Sequence, residues 1–421
     1  MTTTTITSLP NELLEGIAAA VPETERTLSH ICRRLRIVML GTPALWTHAA
    51  VDLHVKGSVE IFELYVARSQ ECTISAILQL RSVLKDESTR DLVAERLRQI
   101  VRHIDQIWRL RVVGGGQLMI DSFRDLAAPN LRRLEVVKLG HYSWGGAKLF
   151  LGGAPKLTFL ELHDLRLELP IPRWAASLTH LELRHDREEL DGNSETLDEI
   201  LVQCPLLVYL HLDIGAMKVQ RQFHIPSLKS LFLVVSGHDD TFDWLATIDS
   251  FDTPSLTEFA IDGLHGDHIF ELCNCRSFPR ASFAALTSFC FVNRCACHCE
   301  TSIPFPDIDT TSHPPFGLFP ALSSLTLVNE CFAPNLLRGL VVPSSDIWPV
   351  LGTVTLTAGA TAAEGVRGAV LDAVRSHQQH GLPLPRFRLA PALSSPEDWE
   401  GHGIEVEKFE PAEVLDVFRV C

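Results

Sequence analysis

A leucine pattern that recurs along most of the chain limits the folds open to it more than any other feature. The pattern L-x-x-L-x-L, or a close variant, starts ten times at separations of about 21–36 residues. Several starts follow a proline by two residues, as in Pro129-Asn130-Leu131. The ten starts are Ile107, Leu131, Leu157, Leu178, Leu207, Leu228, Leu256, Leu286, Leu322 and Leu351. This period predicts an α/β fold in which short parallel strands build an irregular leucine-rich-repeat-like solenoid.

The predicted repeats depart from the regular leucine-rich form at one position. Three residues beyond the last strand leucine, regular repeats carry Asn or Cys, whereas this chain has Leu139, Leu165, Asp186 or Gly215. Without an asparagine ladder the turns cannot share one hydrogen-bonding scheme, so uneven repeats are expected. An ordinary α/β sheet domain with coincidental leucines is the alternative.

Size and charge exclude several classes of protein. A chain of 421 residues is too long for one core, so several domains or a stack of repeats are expected. The formal net charge of −15 argues against nucleic-acid binding, which needs a surplus of Lys and Arg. The start has no secretory signal, and no apolar run is long enough to span a membrane. We therefore expect a soluble cytoplasmic or nuclear protein, and eleven cysteines in no repeating frame favour reduced thiols.

A second informative stretch, residues 9–46, has the pattern of a small helical module. Pro10 is suited to the first turn of a helix, and Pro22 ends that helix. Its apolar face consists of Leu13, Leu14, Ile17, Ala18 and Val21. Thr27 is the predicted cap of a second helix, whose apolar stripe is Leu28, Ile31, Cys32, Leu35, Val38 and Met39. So few residues bury little core, and an outside binding surface is expected; a three-helix cap without a partner is the alternative.

The motifs of this module resemble those of the F-box family in its fungal form. They are Leu9-Pro10-x-Glu12-Leu13-Leu14-x-x-Ile17, Cys32-Arg33-Arg34-x-Arg36 and Thr42-Pro43-x-Leu45-Trp46, with Leu35 standing where that form usually has tryptophan. The resemblance implies docking on the linker subunit of an SCF-type cullin-RING ubiquitin ligase, and through it on a cullin. The residues it assigns to docking, or to packing the docking surface, are Leu9, Pro10, Leu13, Leu14, Ile17, Leu45 and Trp46.

The chain then divides into five predicted segments. They are a disordered tail at 1–8, the F-box at 9–50, a connecting α/β segment with first repeats at 51–106, the leucine-rich-like repeats at 107–357, and last repeats with a cap at 358–421. Helices are predicted at 58–68, 88–102 and 362–377, and strands outside the ten repeats at 49–56, 73–80, 386–389 and 404–409. Glu410–Val420 is the predicted closing cap.

Strand alternation predicts which side chains the repeats present on the sheet face away from the leucines. In the first half these are Arg109, Arg111, Arg133, Glu135, Phe159, Glu161, His163, His180, Glu182, Arg184, Tyr209, His211, Asp213 and Phe232. Aromatic and arginine side chains on a rigid sheet are typical of binding hot spots. We therefore expect a protein substrate to dock on these strands; a solvated face, or one covered by the chain itself, is the alternative.

Motifs for catalysis or cofactors are weak. The cysteines cluster at Cys273-x-Cys275, Cys290 and Cys295-x-Cys297-His298-Cys299, but without a C-x-x-C knuckle, so reduced thiols are expected rather than a metal site. The glycines 114–116 lack the rest of a phosphate-binding motif. Together with the F-box resemblance, which implies a substrate-recognition adaptor, the sequence predicts a non-catalytic protein without cofactors. A repeat scaffold with no ubiquitin ligase role, or a hydrolase hidden in an irregular α/β fold, are the alternatives.

Overall fold

The structure is a computed structural model, and the chain forms two compact units, Met1–Glu189 and Leu190–Cys421. The boundary lies inside the segment predicted to carry the repeats. The residues described are 9–20, 25–80, 87–114, 116–137, 148–163, 173–184, 194–213, 222–235, 248–263, 283–293, 319–329, 350–358, 363–381, 383–390, 393 and 406–408. The predicted tail 1–8 and the predicted cap Glu410–Val420 lie outside them.

The first unit begins with three short helices, α1 (Asn11–Ala20), α2 (Glu25–Ile31) and α3 (Arg33–Gly41), and a 3-10 turn at Pro43–Trp46. The single second helix predicted from Leu28 to Met39 is wrong. Cys32 has an extended backbone, φ −153° and ψ 165°, and its sulfur accepts a hydrogen bond from the Leu35 amide at 3.5 Å. Cys32 therefore ends α2 and caps α3. Thr27 lies inside α2 and is not its cap.

A small apolar cluster joins the three helices. Its buried members are Leu14, Ala18, Leu35, Val38 and Met39, and Leu9, Leu28, Cys32 and Leu45 pack against it. Leu35, the residue that departs from the F-box pattern, is fully buried there. Arg34 also ties α3 to the start of α1, because its guanidinium donates to the Leu9 carbonyl at 2.6 Å and to Asn11 Oδ1 at 3.1 Å.

The rest of the first unit alternates strands with helices. In chain order come β1 (His48–Asp52), α4 (Ser58–Ser69), β2 (Ile74–Leu80), α5 (Glu87–Val101), β3 (Ile107–Gly114), α6 (Gly116–Phe123), β4 (Arg133–Val137), β5 (Phe159–His163) and β6 (His180–Arg184). These strands pair in parallel in that order. The predictions of helices at 58–68 and 88–102 and of strands at 73–80 and 107–113 are confirmed. The strand predicted at 49–56 ends earlier, at Asp52, whose carboxylate accepts from the His54 amide at 3.0 Å and starts a turn.

The second unit continues the pattern within the residues described. Its elements are α7 (Ser194–Val202), β7 (Tyr209–Asp213), β8 (Phe223–His224), β9 (Ser230–Val234), β10 (Phe251–Asp252), β11 (Glu258–Asp262), β12 (Ser288–Asn293), β13 (Ser324–Asn329), β14 (Thr353–Ala358), α8 (Ala363–His380), β15 (Arg386–Leu389) and β16 (Val406–Lys408). The sheet order is β7-β9-β11-β12-β13-β14-β15-β16, all parallel, while β8 and β10 form a separate pair. The predicted α/β class with a parallel sheet is confirmed.

The leucine pattern fixes the register of the strands. Nine of the ten predicted starts lie two residues before a strand, and at the first the strand begins at Ile107 itself. The fourth-place leucines Leu134, Leu160 and Leu181 are Cα partners on β4, β5 and β6, and all three are buried. The apolar pattern therefore forms the core side of the sheet.

A row of hydroxyls at the start of the strands joins successive repeats. In the first unit Thr179 Oγ1 donates to the Thr158 carbonyl at 3.1 Å, and in the second Thr257, Thr287 and Ser323 each donate at 3.1 Å to the carbonyl at the same place of the repeat before. The positions that lack asparagine, Leu139, Leu165, Asp186 and Gly215, lie outside the residues described. A regular hydrogen-bonding scheme thus exists at the strand starts, a place that the leucine pattern did not predict.

Candidate functional site

The predicted binding residues of the first unit lie on two surfaces, and one is the outer side of helix α1. Of the seven residues predicted for linker binding, Leu14 and Trp46 are buried, while Leu9 and Leu45 are half-buried against the helical cluster. Pro10, Leu13 and Ile17 are exposed. Leu13 and Ile17 are four residues apart, hence on one side of α1, and are 54% and 43% exposed. Sequence patterning placed Leu13 and Leu14 on one face, whereas the structure separates them.

Two further isoleucines of the helical module are exposed, Ile31 at the end of α2 and Ile37 on α3. Ile31 was predicted to belong to the buried stripe of a continuous helix. Because Cys32 breaks that helix, Ile31 does not reach the core, and the prediction for this residue is wrong. Ile37 had no predicted role. Its position two residues after the buried Leu35 and one before the buried Val38 is the signal that places it on the outer side of α3.

Trp46 is an internal anchor of the module. Its indole N–H donates to the Met39 carbonyl at 2.7 Å, and its ring meets Tyr65 of α4 edge to face, with centroids 5.3 Å apart. Met39 lies in the last turn of α3, where a carbonyl has no partner within the helix. Trp46 therefore completes α3 and attaches the module to the α/β part of the first unit.

The second surface is the sheet face of β3–β6 away from the leucines. At its centre Glu135 is buried and contacts three arginines. Its Oε1 lies 2.8 Å from Arg109 Nη2 and 2.5 Å from Arg133 Nε, and its Oε2 lies 3.6 Å from Arg111 Nε. Parallel register explains the grouping, since Arg109 and Arg111 are the Cα partners of Arg133 and Glu135. The structure thus brings together residues that are about two dozen positions apart in the sequence.

Next to this group lie the two other predicted glutamates. His163 Nε2 is 2.6 Å from Glu161 Oε1, and an Arg184 guanidinium nitrogen is 2.5 Å from Glu182 Oε2 and 3.9 Å from Glu161 Oε1. Burial raises the pKa of Glu161, but the hydrogen bond from His163 and the nearby positive charges outweigh it, so this pKa lies below its usual value. For Glu182 burial dominates over Arg184 and raises the pKa, with the charge of Glu161 adding to it.

Aromatic contacts extend the Glu135 group of charges along the face. The guanidinium carbon of Arg133 lies 3.7 Å from the centroid of the Phe159 ring, a cation–π contact. Phe159 in turn stacks on His180, with ring centroids 5.9 Å apart. All ten outward residues predicted on β3–β6 therefore lie on one face, where their contacts form two groups, one around Glu135 and one around Glu161 and Glu182.

The four predicted residues of the second unit are less exposed than those of the first. Tyr209, His211, Asp213 and Phe232 are all buried, although alternation places them away from the leucines as expected. His211 packs on Phe232 at 4.4 Å between ring centroids. Phe232 belongs to an apolar cluster with Ala260, Cys290, Val292 and Ala390. This face of the second unit is covered rather than open, so in this structure these four side chains do not offer a free surface.

Among the described residues, few other groups are candidates for metal binding or nucleophilic chemistry. They contain no group of three or more His, Cys, Asp or Glu arranged to hold a metal ion. From the predicted cysteine cluster only Cys290 lies among them; it is a free thiol buried on β12, and burial raises its pKa, which favours the inert thiol form. Among these residues, none of the helices has the length and apolar character needed to cross a membrane.

Comparison with known proteins does not assign the chain to a family. No protein-family profile and no curated protein matches the chain. Among solved structures, it is similar to the crystal structure of a structural genomics target from Bacteroides fragilis, with 14% sequence identity and a TM-score of 0.32 over 82% of this chain and 78% of that one. A similarity of this size carries no argument about family or function.

Proposed function

We propose that the chain is a non-catalytic substrate-recognition adaptor of an SCF-type cullin-RING ubiquitin ligase, acting in the cytoplasm or nucleus. The helical module, as an F-box, binds the linker subunit and through it a cullin. The parallel strands, as leucine-rich-like repeats, bind a protein destined for ubiquitin-dependent degradation. Such an adaptor needs no active site, because holding two reactants together raises their effective concentration.

One observation carries the proposal. The motif that resembles an F-box begins a three-helix module, and the motif residues Pro10, Leu13 and Ile17 face outward. Two large apolar side chains exposed side by side on a short helix form a small apolar patch of the kind that marks a protein–protein contact. The buried motif residue Leu14 supports that surface from beneath, within the apolar cluster of the three helices.

The test is binding of the purified chain to the SCF linker subunit, with changes on the outer side of α1. Leu13→Ala with Ile17→Ala should weaken binding at least about tenfold, since two anchor side chains are truncated. Neither side chain supports the core, so the melting temperature should hardly change. The matched control is Leu92→Ala on α5, which removes an equally exposed leucine, 49% against 54%, outside the module.

Unchanged linker binding by the double variant would refute the role of this surface. An equal loss in the Leu92 control would show that the effect is not specific to α1. Failure of the unaltered chain to bind any linker subunit would refute the adaptor function altogether.

A repeat scaffold without a ligase role is the second candidate, and one contact favours it. Trp46 ties the helices to Tyr65 of α4, next to the first strand, as expected of a cap that closes one end of a sheet. One measurement separates the two functions. The intact chain should bind the linker subunit if it is an adaptor, and should not bind it if it is a scaffold.

A further inference from the structure

The charges on the outer face of β3–β6 are sorted by depth. The outward positions of these strands carry four arginines and three glutamates, a sum of 4 − 3 = +1. The glutamate side chains are 3–15% exposed, whereas the arginine side chains are 28–44% exposed. A partner approaching this face therefore meets guanidinium groups, with the carboxylates beneath them. This arrangement occurs in a chain whose net charge is −15.

The buried carboxylates fix the arginines in place. Glu135 accepts from Arg109 Nε and Arg133 Nε at the same oxygen, Oε1, so one carboxylate holds both guanidiniums. Arg133 is further held by the Phe159 ring. Arginines held in this way lose little side-chain freedom on binding, which lowers the entropic cost of capturing an anion.

We propose that this face binds an acidic segment of a partner protein, an extended peptide with Asp or Glu at alternate positions. The spacing fits, because Arg109 and Arg111 are two residues apart on one strand, about 7 Å, and alternate side chains of an extended peptide have that same spacing. Arg109 and Arg133 on neighbouring strands add a second direction, about 5 Å across. Single charges spread along a peptide match this array better than one phosphate, since Glu135 already occupies the centre of the arginine group.

Acidic-segment binding names a class of substrate for the proposed adaptor. Only the role of the bound protein as a degradation substrate rests on the proposed function. Peptide binding itself does not involve the linker subunit or helix α1. Loss of linker binding with intact peptide binding would point to the scaffold function, and the reverse would overturn only the acidic-segment proposal.

The experiment measures fluorescence anisotropy of labelled peptides with the full chain. The probe is a short peptide of alternating Asp and Ser. Its comparisons are the same peptide with Asn for Asp, and one with a single phosphoserine and no Asp. The Asp peptide should bind at least about tenfold more tightly than the Asn peptide, and the difference should shrink in about 0.5 M NaCl, where exposed charges are screened.

Arg111→Gln is the most informative variant, because Arg111 makes the longest contact with Glu135 and is the most exposed of the group. It should weaken binding of the Asp peptide about two- to fivefold, as expected for one exposed ion pair. Arg111→Lys should keep most of the affinity. The matched control is Arg124→Gln on the loop after α6, which removes an arginine of similar exposure, 41% against 44%, and should leave binding unchanged.

Three results would overturn the proposal. They are equal binding of the Asp and Asn peptides, equal effects of Arg111→Gln and Arg124→Gln, and tighter binding of the phosphoserine peptide than of the Asp peptide. The last result would assign the face to phosphate instead. If Arg111→Gln lowers the melting temperature, the test is the unaltered chain, and Asp-peptide binding that does not weaken in about 0.5 M NaCl would then overturn the proposal.

Discussion

Replacing Trp46 with Phe should separate support of the helical module from direct docking. In the structure this indole is buried, and its N–H is the partner of the Met39 carbonyl in the last turn of α3. Phenylalanine keeps an aromatic ring near Tyr65 but has no donor. The substitution therefore leaves a buried carbonyl without that hydrogen bond and a small space where the indole's second ring was.

The magnitude follows from those two losses. A buried acceptor left unpaired costs about 1–3 kcal/mol. Removing part of a buried side chain adds about 1 kcal/mol, since the site is closely packed and can relax only in part. The free energy of unfolding of the first unit should therefore fall by about 2–4 kcal/mol.

Urea denaturation gives the total effect, and amide hydrogen exchange shows where it lies. Trp174→Phe is a matched control, because Trp174 is also buried and donates to a backbone carbonyl, that of Leu149, at 3.1 Å. Both variants should lose stability, but only Trp46→Phe should speed exchange in α3. Linker binding by Trp46→Phe should recover on cooling, when the module is folded.

Two results would contradict this explanation. A loss of stability below about 0.5 kcal/mol would mean that the Met39 carbonyl finds another donor, and the anchor would not exist. Linker binding that stays weak in a fully folded Trp46→Phe variant would mean that the indole contacts the partner directly.

Three further predictions concern the sheet. The lowered pKa of Glu161 gives stability that is present above its unfolded pKa and lost as the pH falls through the folded pKa. The raised pKa of Glu182 gives the opposite sign, with stability lost as the pH rises through the folded value. The urea midpoints of both variants, measured at acid and neutral pH, test these signs. Relative to the unaltered chain, Glu182→Gln should become more stable as the pH rises and Glu161→Gln less stable. The same trend in both variants would refute the opposite pKa shifts. Gly263→Ala should cost at least about 1–3 kcal/mol in urea denaturation, because φ is +91° and an added Cβ would lie 2.3 Å from the Val235 carbonyl oxygen. Thr287→Val should cost about 0.5–1 kcal/mol by the same assay through the lost inter-repeat hydrogen bond, and no change would remove the hydroxyl row as a stabilising feature.

The strands could be predicted from sequence because their signal is local. In a parallel sheet built of repeats, the apolar side chains must alternate and recur with the period of the crossover, and both requirements leave marks in the sequence. The grouping of Arg109, Arg133 and Glu135 could also be predicted, because it follows from the register of the parallel strands. Register carries each residue to the same place on the next strand, so residues far apart in the chain become neighbours.

Burial of the second sheet face could not be predicted, because it depends on what covers the face. Arg109 and Tyr209 occupy outward positions that alternation treats alike, yet the first is partly exposed and the second is buried. The break at Cys32 was missed for a related reason. The apolar pattern runs through it unchanged, and only a local contact between the sulfur and the Leu35 amide makes the extended backbone favourable there.

The depth at which charges lie, rather than their number, determines what the face of β3–β6 can recognise. Counted from sequence, four arginines and three glutamates nearly cancel, and the face looks neutral. Since Glu135 and Glu182 are buried while the arginines reach solvent, a ligand is closer to the positive charges than to the negative ones. Coulomb interaction falls with distance and with screening by water, so the nearer sign dominates. Removing the glutamates would add positive charge and also release the arginines, and recognition of a spaced acidic segment depends on keeping them in place.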